Sequence, residues 1–460
     1  MLDLASYAVS VAERLGAKYA EARVEKTRRI TLIMKNGSFE PEIIDEDYGI
    51  GIRVLNKGLA FASTNQLTRQ KIKEMVKRAI RYASKSSPVQ FSEEKPIKAE
   101  ERVKDKEVTL GFIHTFLKNI DSEVSSVENI VSRFFEFIIS EKEKVFVNSE
   151  GSEIYSKLPR QMLDYSLIAK SGSSMEQRYF SLAGVGGLKL VKSWNADKKL
   201  RKEAEALSKL LKSKKAKSGK MDVVLSPELV GIIVHESCGH PFEADRILGR
   251  EAAQAGESYI TPSWLGRKIG SEFLTIVEDP RIPNSYGFYL YDDEGVKARR
   301  RFLIKGGYVN EFLHNRETAS FFGVKSNGSA RASSYNREPI VRMSNTFILP
   351  GDYSFDELIE DIKYGVYIKS FTEWNIDDKR WNEKYVGAEA YEIVNGEIRG
   401  LIRRPTIETT TPKLFMSIDA CGRDFELVPG TCGKGEPMQG VPVSMGGPHI
   451  RLRNMFVKGG

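Results

Sequence analysis

Residues Met221–Pro241 read MDVVLSPELVGIIVHESCGHP. MDVVL is a short apolar run of the kind a buried strand uses, and the residues after it specify the start of a helix. Ser226 can cap it, Pro227 suits the first helical position because its missing N–H would be unpaired there anyway, and Glu228 faces the positive end of the dipole. Leu229, Val230, Ile232, Ile233 and Val234 are apolar nearly all round, so this helix lies inside a domain. Gly239 and Pro241 predict its end. His235, Glu236 and His240 therefore fall in the last turns of a buried helix.

Burying two histidines and a glutamate without partners is costly, so the site calls for hydrogen bonds or a cation. The plain alternative is a pair of imidazoles satisfied by backbone groups at a helix end. In the zinc-protease pattern HExxH the histidines are four apart and about 40° from each other around the helix; here they are five apart, about 140°. A regular helix would point them away from each other. For both to meet one metal the helix must open near Gly239, by a π-type widening or a left-handed terminal residue, and glycine does either cheaply.

Two imidazoles bind zinc weakly, and a third ligand must come from elsewhere in the chain, leaving a fourth position for water. His114 sits in an amphipathic helix, and His314 in EFLHNRE and His449 in GGPHIRL lie on strand or turn edges; each reads as a surface histidine. Cys238 reads as a small helix-packing residue, and Cys421 in SIDACGRD is ambiguous. Cys432 stands apart. In PGTCGKGEP its neighbours Pro429, Gly430, Gly433 and Gly435 predict a tight exposed loop, where packing does not explain a thiol. Two neutral histidines with one thiolate make a catalytic set, so Cys432 is the expected third ligand. Glu236 is then the general base, which takes a proton from water and passes it to a leaving amine. Glu243 and Asp245, just after the second ligand, are candidates to orient the imidazoles.

Outward from this stretch, the chain beyond Met221 is β-rich, with hairpin cues at Lys305-Gly306-Gly307 and Asn395-Gly396. Before it, Asp197 to Lys214 is a strongly basic helical segment running into KKAKSGK, which reads as a solvated boundary ahead of a C-terminal domain. The N-terminal third alternates helix and hairpin. Leu4, Ala8, Val11 and Leu15 have helical spacing up to Gly16, and ITLIMKNGSFEPEII and GIGIRVLNKGLAFAS turn at Asn36-Gly37 and Asn56-Lys57-Gly58, where positive φ is expected. A helix returns near residues 64–84, SSPVQFSEEKPIKAEE connects, and a second helix-then-hairpin unit turns near Glu150-Gly151. The expected fold is α+β: mixed helices and antiparallel hairpins over residues 1–218, with two parts at 1–95 and 96–218, then a β-rich domain at 219–460 around the metal-binding helix.

The 460 residues exceed what one core usually organises, and 41% hydrophobic with 29% charged residues excludes disorder or a coiled coil as the main reading. Lys and Arg number 70 against 62 Asp and Glu, an excess spread too thinly to support nucleic-acid binding. No apolar run is long enough to cross a bilayer, and Asp3, Glu13 and Arg14 interrupt any signal-peptide core, which points to the cytoplasm. Three cysteines cannot build a disulfide framework.

HESCGHPFEAD, YDDEG (Tyr291–Gly295), NGSARASSY (Asn327–Tyr335), PIVRMSNTFILPG (Pro339–Gly351) and GTCGKGEPMQGVPVSMGGP follow one another in the order found in the TldD/PmbA family of zinc metalloproteases, once described as modulators of DNA gyrase, and the chain resembles that family over most of its length. The resemblance implies peptidase activity on small or unfolded peptides, metal ligands at His235, His240 and Cys432, zinc rather than iron as the metal, and the base at Glu236. HExxxH marks the chain as similar to the TldD-type member, which pairs with a PmbA-type (TldE) partner lacking the motif; a heterodimer is implied, a homodimer being the alternative. TEWNIDDKRWNEKYVG, near 372–387, is more charged and aromatic than the family's strand there. Two other readings compete: a His2Cys amidase for small amides, like peptide deformylase, and a non-catalytic regulator of a DNA enzyme such as gyrase.

Overall fold

The computed structural model of the chain describes residues 1–251 and 256–459. Among these, the N-terminal strands form one eight-stranded sheet, and the C-terminal strands form sheets of ten, six and two strands. The chain is α+β, as its sequence pattern indicates, with sheet dominating the second half.

Long antiparallel strands build the N-terminal sheet: Tyr19–Lys35, Ile43–Leu55, Ile130–Asn148, Glu153–Ser171 and Ser174–Val185. Because side chains alternate along a strand, Tyr19–Lys35 offers Ala20, Ala22 and Val24, then Ile30, Leu32 and Met34, to a single face. The first three pack under helices Leu2–Arg14 and Arg69–Ala83, the second three with helices Leu110–Ser125 and Ala196–Leu210. Two separate cores thus hang on one sheet. The opposite face is charged yet buried. Glu21, Arg23, Glu25 and Arg53 are each 2% exposed, because the C-terminal half of the chain covers them: Arg23 donates to the Arg337 carbonyl at 2.7 Å, Arg53 pairs with Glu294, and Lys144 with Asp293.

The turns follow their local chemistry, with one difference. Asn36-Gly37 and Asn395-Gly396 both take positive φ, as tight hairpins require. At Asn56-Lys57-Gly58 no residue does. Gly58 instead lets the backbone pass against the Ser87 carbonyl, which a Cβ would strike. KKAKSGK is not wholly a solvated boundary either, since Lys214–Lys215 pairs with strand Glu397–Arg403 and Ala216 is buried.

In the C-terminal half, strand Gly219–Leu225 lies inside the ten-stranded sheet between Ile450–Lys458 and Tyr364–Ile368. It delivers the chain into helix Pro227–Val234, which is covered on all sides by the main apolar core and by strands Asn345–Ile348 and Gln439–Gly447. Ser226 sits at the N-cap, but its hydroxyl donates to the Lys369 carbonyl at 2.6 Å rather than accepting from its own helix. Glu228 binds Arg178 of the N-terminal sheet through two hydrogen bonds of 2.7 Å. The helix is thereby fixed to both halves of the molecule.

Candidate metal centre

Beyond Val234 the helix widens. His235–Gly239 is a π-helical turn, closed by the His240 N–H on the His235 carbonyl at 3.1 Å, five residues back. The extra residue in the turn brings the imidazoles together, with ring centroids 4.9 Å apart and planes at 81°. Of the two openings expected from sequence the chain uses the π widening, and Gly239 has no positive φ. Its role is spatial: a Cβ there would overlap the Sδ of the buried Met343.

Strand Glu426–Lys434 supplies the third group. His235, His240 and Cys432 each offer a ligand atom, and these atoms lie within 4.8 Å of one another; no other His, Cys, Asp or Glu trio among the described residues does so. The His240 Nε2 is 3.3 Å from the Cys432 Sγ. Cys432 is not in an exposed loop, as its glycine neighbours suggested, but is 3% exposed in a strand paired with Gln439–Gly447. Gly430 and Gly433 leave room for the Met445 and Met438 side chains of the facing hairpin arm, and the alternation of the strand turns the thiol inward. Burial raises a thiol's pKa, yet the charges of His240, Arg342 and His235 hold Cys432 well below the usual thiol range. His235 is raised in turn: burial opposes its charge, but the Cys432 sulfur and the Glu236 carboxylate together outweigh it.

The donor set fits a zinc ion by the chemistry of its atoms, two imidazole nitrogens and a thiolate-forming sulfur. The Nδ1 of His235 is buried with no hydrogen-bond partner among the described residues, a costly arrangement in the absence of a cation. Glu243 is fully buried and accepts from the His240 Nδ1 at 3.0 Å, fixing that ring. Burial alone would raise its carboxyl; Lys434, His240 and Arg246 together hold it well below the ordinary carboxylate range. Asp245 touches no imidazole and instead takes Lys434 at 2.6 Å.

The remaining candidates lie elsewhere. His114 is exposed beside Glu42, and His449 joins Asp424 and Tyr367. His314 is buried against Thr318, and burial pushes it down to about 4. Cys238 faces the apolar core, and Cys421, pushed up to about 12 by burial, lies near the Phe273 carbonyl.

Glu236 lines a cavity of about 350 Å³ together with His235. Its Oε2 is held by the Arg380 guanidinium. The model of the PmbA/TldA metallopeptidase C-terminal domain matches residues 218–459, that of the central domain residues 92–213, and that of domain 1 residues 20–83. The chain belongs to the PmbA/TldD metallopeptidase family. A metalloprotease of Methanothermobacter thermautotrophicus is 34% identical over 99% of this chain and 98% of its own length. A zinc metalloprotease TldD homolog of Saccharolobus solfataricus is 28% identical over 98% and 99%. The crystal structure of TldE from Thermococcus kodakarensis shares the fold, with a TM-score of 0.79 at 18% identity over 99% of this chain and 100% of that one.

This metallopeptidase has site residues that its sequence did not single out. Arg380 arrives from the turn between strands Phe371–Ile376 and Asn382–Gly387, within the charged, aromatic segment noted above, and its positive φ of 62° gave no local signal. Lys434 was visible in GTCGKG but only the fold brings it to Glu243. Under the π turn, the buried Glu383 accepts from the Ser237 hydroxyl at 2.7 Å and from Thr411, and burial pushes its carboxyl up to about 7. The folded state therefore binds this proton more tightly than the unfolded chain, and its contribution to stability falls as pH rises from about 4.3 to 7. In thermal unfolding, Glu383→Gln gains about 2–3 kcal/mol on wild type between pH 5 and pH 8. Parallel pH profiles of the two proteins would contradict the assignment.

Proposed function

We propose that the chain is a zinc-dependent peptidase that hydrolyses amide bonds of small or unfolded peptides, with His235, His240 and Cys432 as the metal ligands and Glu236 as general base. The observation that carries this reading is the π turn, which brings His235 and His240 together with Cys432 and sets His235 and the neighbouring Glu236 on the wall of one cavity. A zinc ion held by these residues supplies Lewis acidity and lowers the pKa of water. Glu236, with Oε2 fixed by Arg380, has Oε1 left to take a proton and return it to the leaving nitrogen.

The shape of the cavity favours an extended substrate. Phe371, Thr372 and Trp374 come from the terminal strand of the ten-stranded sheet, and Val428–Thr431 from the terminal strand of the six-stranded sheet. Both are sheet edges with backbone groups to offer, so a peptide lying between them can pair as an added strand. Tyr179 and Phe180 of the N-terminal sheet roof the space. A formyl-amide substrate would leave both edges unused, which favours the peptide over the deformylase-like reading.

Removing metal with a chelator reduces cleavage of an unstructured peptide to background, and added zinc restores it; cleavage persisting in metal-free protein contradicts the reading. No helix among the described residues is long and apolar enough to cross a membrane. We place the enzyme in the cytoplasm, where its three unpaired cysteines stay reduced, as a dimer with a PmbA/TldE-type chain or with a second copy. The division into residues 1–218 and 219–460 is part of the same proposal.

A further inference from the structure

A second cavity, about 390 Å³, opens where strands Ile130–Asn148 and Glu153–Ser171 face the C-terminal domain. It adjoins the first one: Met162 and Thr431 line both, and Thr431 precedes Cys432 in its strand. Its wall carries many charges, and nearly all are already matched. Asp293 is bound by Lys144 and by the Ala332 N–H, and Asp292 accepts from the N–H groups of Glu294, Val296 and Ala330. Glu101 accepts from the Leu290 N–H and the Ser156 hydroxyl. Lys142 is taken by Glu25.

Two guanidiniums are left over. Arg160 donates only to the carbonyls of Tyr286 and Phe288, at 3.3 and 3.1 Å. Arg331, 6% exposed, donates to the Met343 carbonyl at 2.6 Å and lies 5.2 Å from the Tyr289 ring centroid. Among the described residues neither has a carboxylate within ion-pair distance, and each keeps N–H groups without a protein partner. Burial, with the nearby Arg331 charge adding to it, pushes Arg160 down to about 10, although the Glu101 and Asp293 carboxylates act the other way. Planar guanidiniums converging on one cavity match the two oxygens of a carboxylate.

We propose that Arg160 and Arg331 bind the C-terminal carboxylate of the peptide substrate, so that the enzyme cuts near the C-terminal end and releases short C-terminal fragments. This rests on the peptidase reading above. The anchor lies close to the reacting centre, since Arg331 donates to the carbonyl of Met343, whose side chain packs against Gly239 of the π turn.

The test uses two peptides that differ only in a free or amidated C-terminus, and a third, amidated, with a glutamate in its last position. Wild type is expected to favour the free acid in kcat/KM by about ten- to a hundredfold, the effect of a charged hydrogen bond. Arg331→Gln and Arg160→Gln each bring the acid-to-amide ratio close to one, and Arg331→Lys restores part of it. Equal rates on acid and amide would overturn the proposal while leaving the peptidase reading intact. A preference that follows the glutamate side chain would overturn the terminal anchor. Binding of the same peptides, fluorescently labelled, to Glu236→Gln protein gives a readout independent of turnover. If acid binds more tightly than amide but nothing is cleaved, the anchor stands and the peptidase reading fails.

Discussion

Glu236→Gln lowers kcat for peptide cleavage by about 10²- to 10⁴-fold while zinc content remains at one ion per chain. The substitution is close to isosteric, and the amide oxygen can still accept from Arg380, so the buried contact that fixes the side chain survives. What disappears is the capacity to take a proton. Glu236 is not among the three converging donors, which is why metal content and activity should separate in this variant. Elemental analysis alongside steady-state kinetics checks both halves. A variant that retains cleavage assigns proton transfer elsewhere, and one that loses its zinc shows Glu236 to be a ligand.

Cys432→Ser lowers zinc affinity by more than about 100-fold, since loss of an outer partner alone costs 10- to 100-fold. The strand around it should persist, because pairing with Gln439–Gly447 runs along the full length from Glu426 to Lys434 and does not depend on the sulfur. The serine hydroxyl keeps its proton where the thiol loses it: His240, Arg342 and His235 favour an anion that serine does not form at neutral pH. Competition with a chromophoric chelator measures the loss, and cleavage falls with it. Unchanged affinity would remove Cys432 from the metal set.

Much of this centre was legible because it is written in local rules. Pro227 and Glu228 start the helix, the all-round apolar run buries it, and the five-residue spacing of His235 and His240 demands a widened turn, which the structure supplies at His235–Gly239. Asn36-Gly37 and Asn395-Gly396 likewise carry their turn geometry in two residues. What depends on distant partners was not legible. Cys432 looked like a loop residue because glycines mark turns and close strand packing alike. Gly58 and Gly239 are small to admit Ser87 and Met343, neighbours remote in sequence. Arg23 and Glu25 of Tyr19–Lys35 are buried because residues of the C-terminal half, remote in sequence, lie over them, as where Arg23 donates to the Arg337 carbonyl. Arg380 reaches Glu236 from 144 positions away, a pairing no periodicity encodes.

X-ray absorption at the zinc edge, on protein purified without added metal, tests the central claim most directly. The account predicts one zinc per chain with one sulfur neighbour at about 2.3 Å and nitrogen neighbours at about 2.0–2.1 Å, the sulfur shell vanishing in Cys432→Ser. A spectrum with oxygen and nitrogen neighbours alone, unchanged by that substitution, would contradict it.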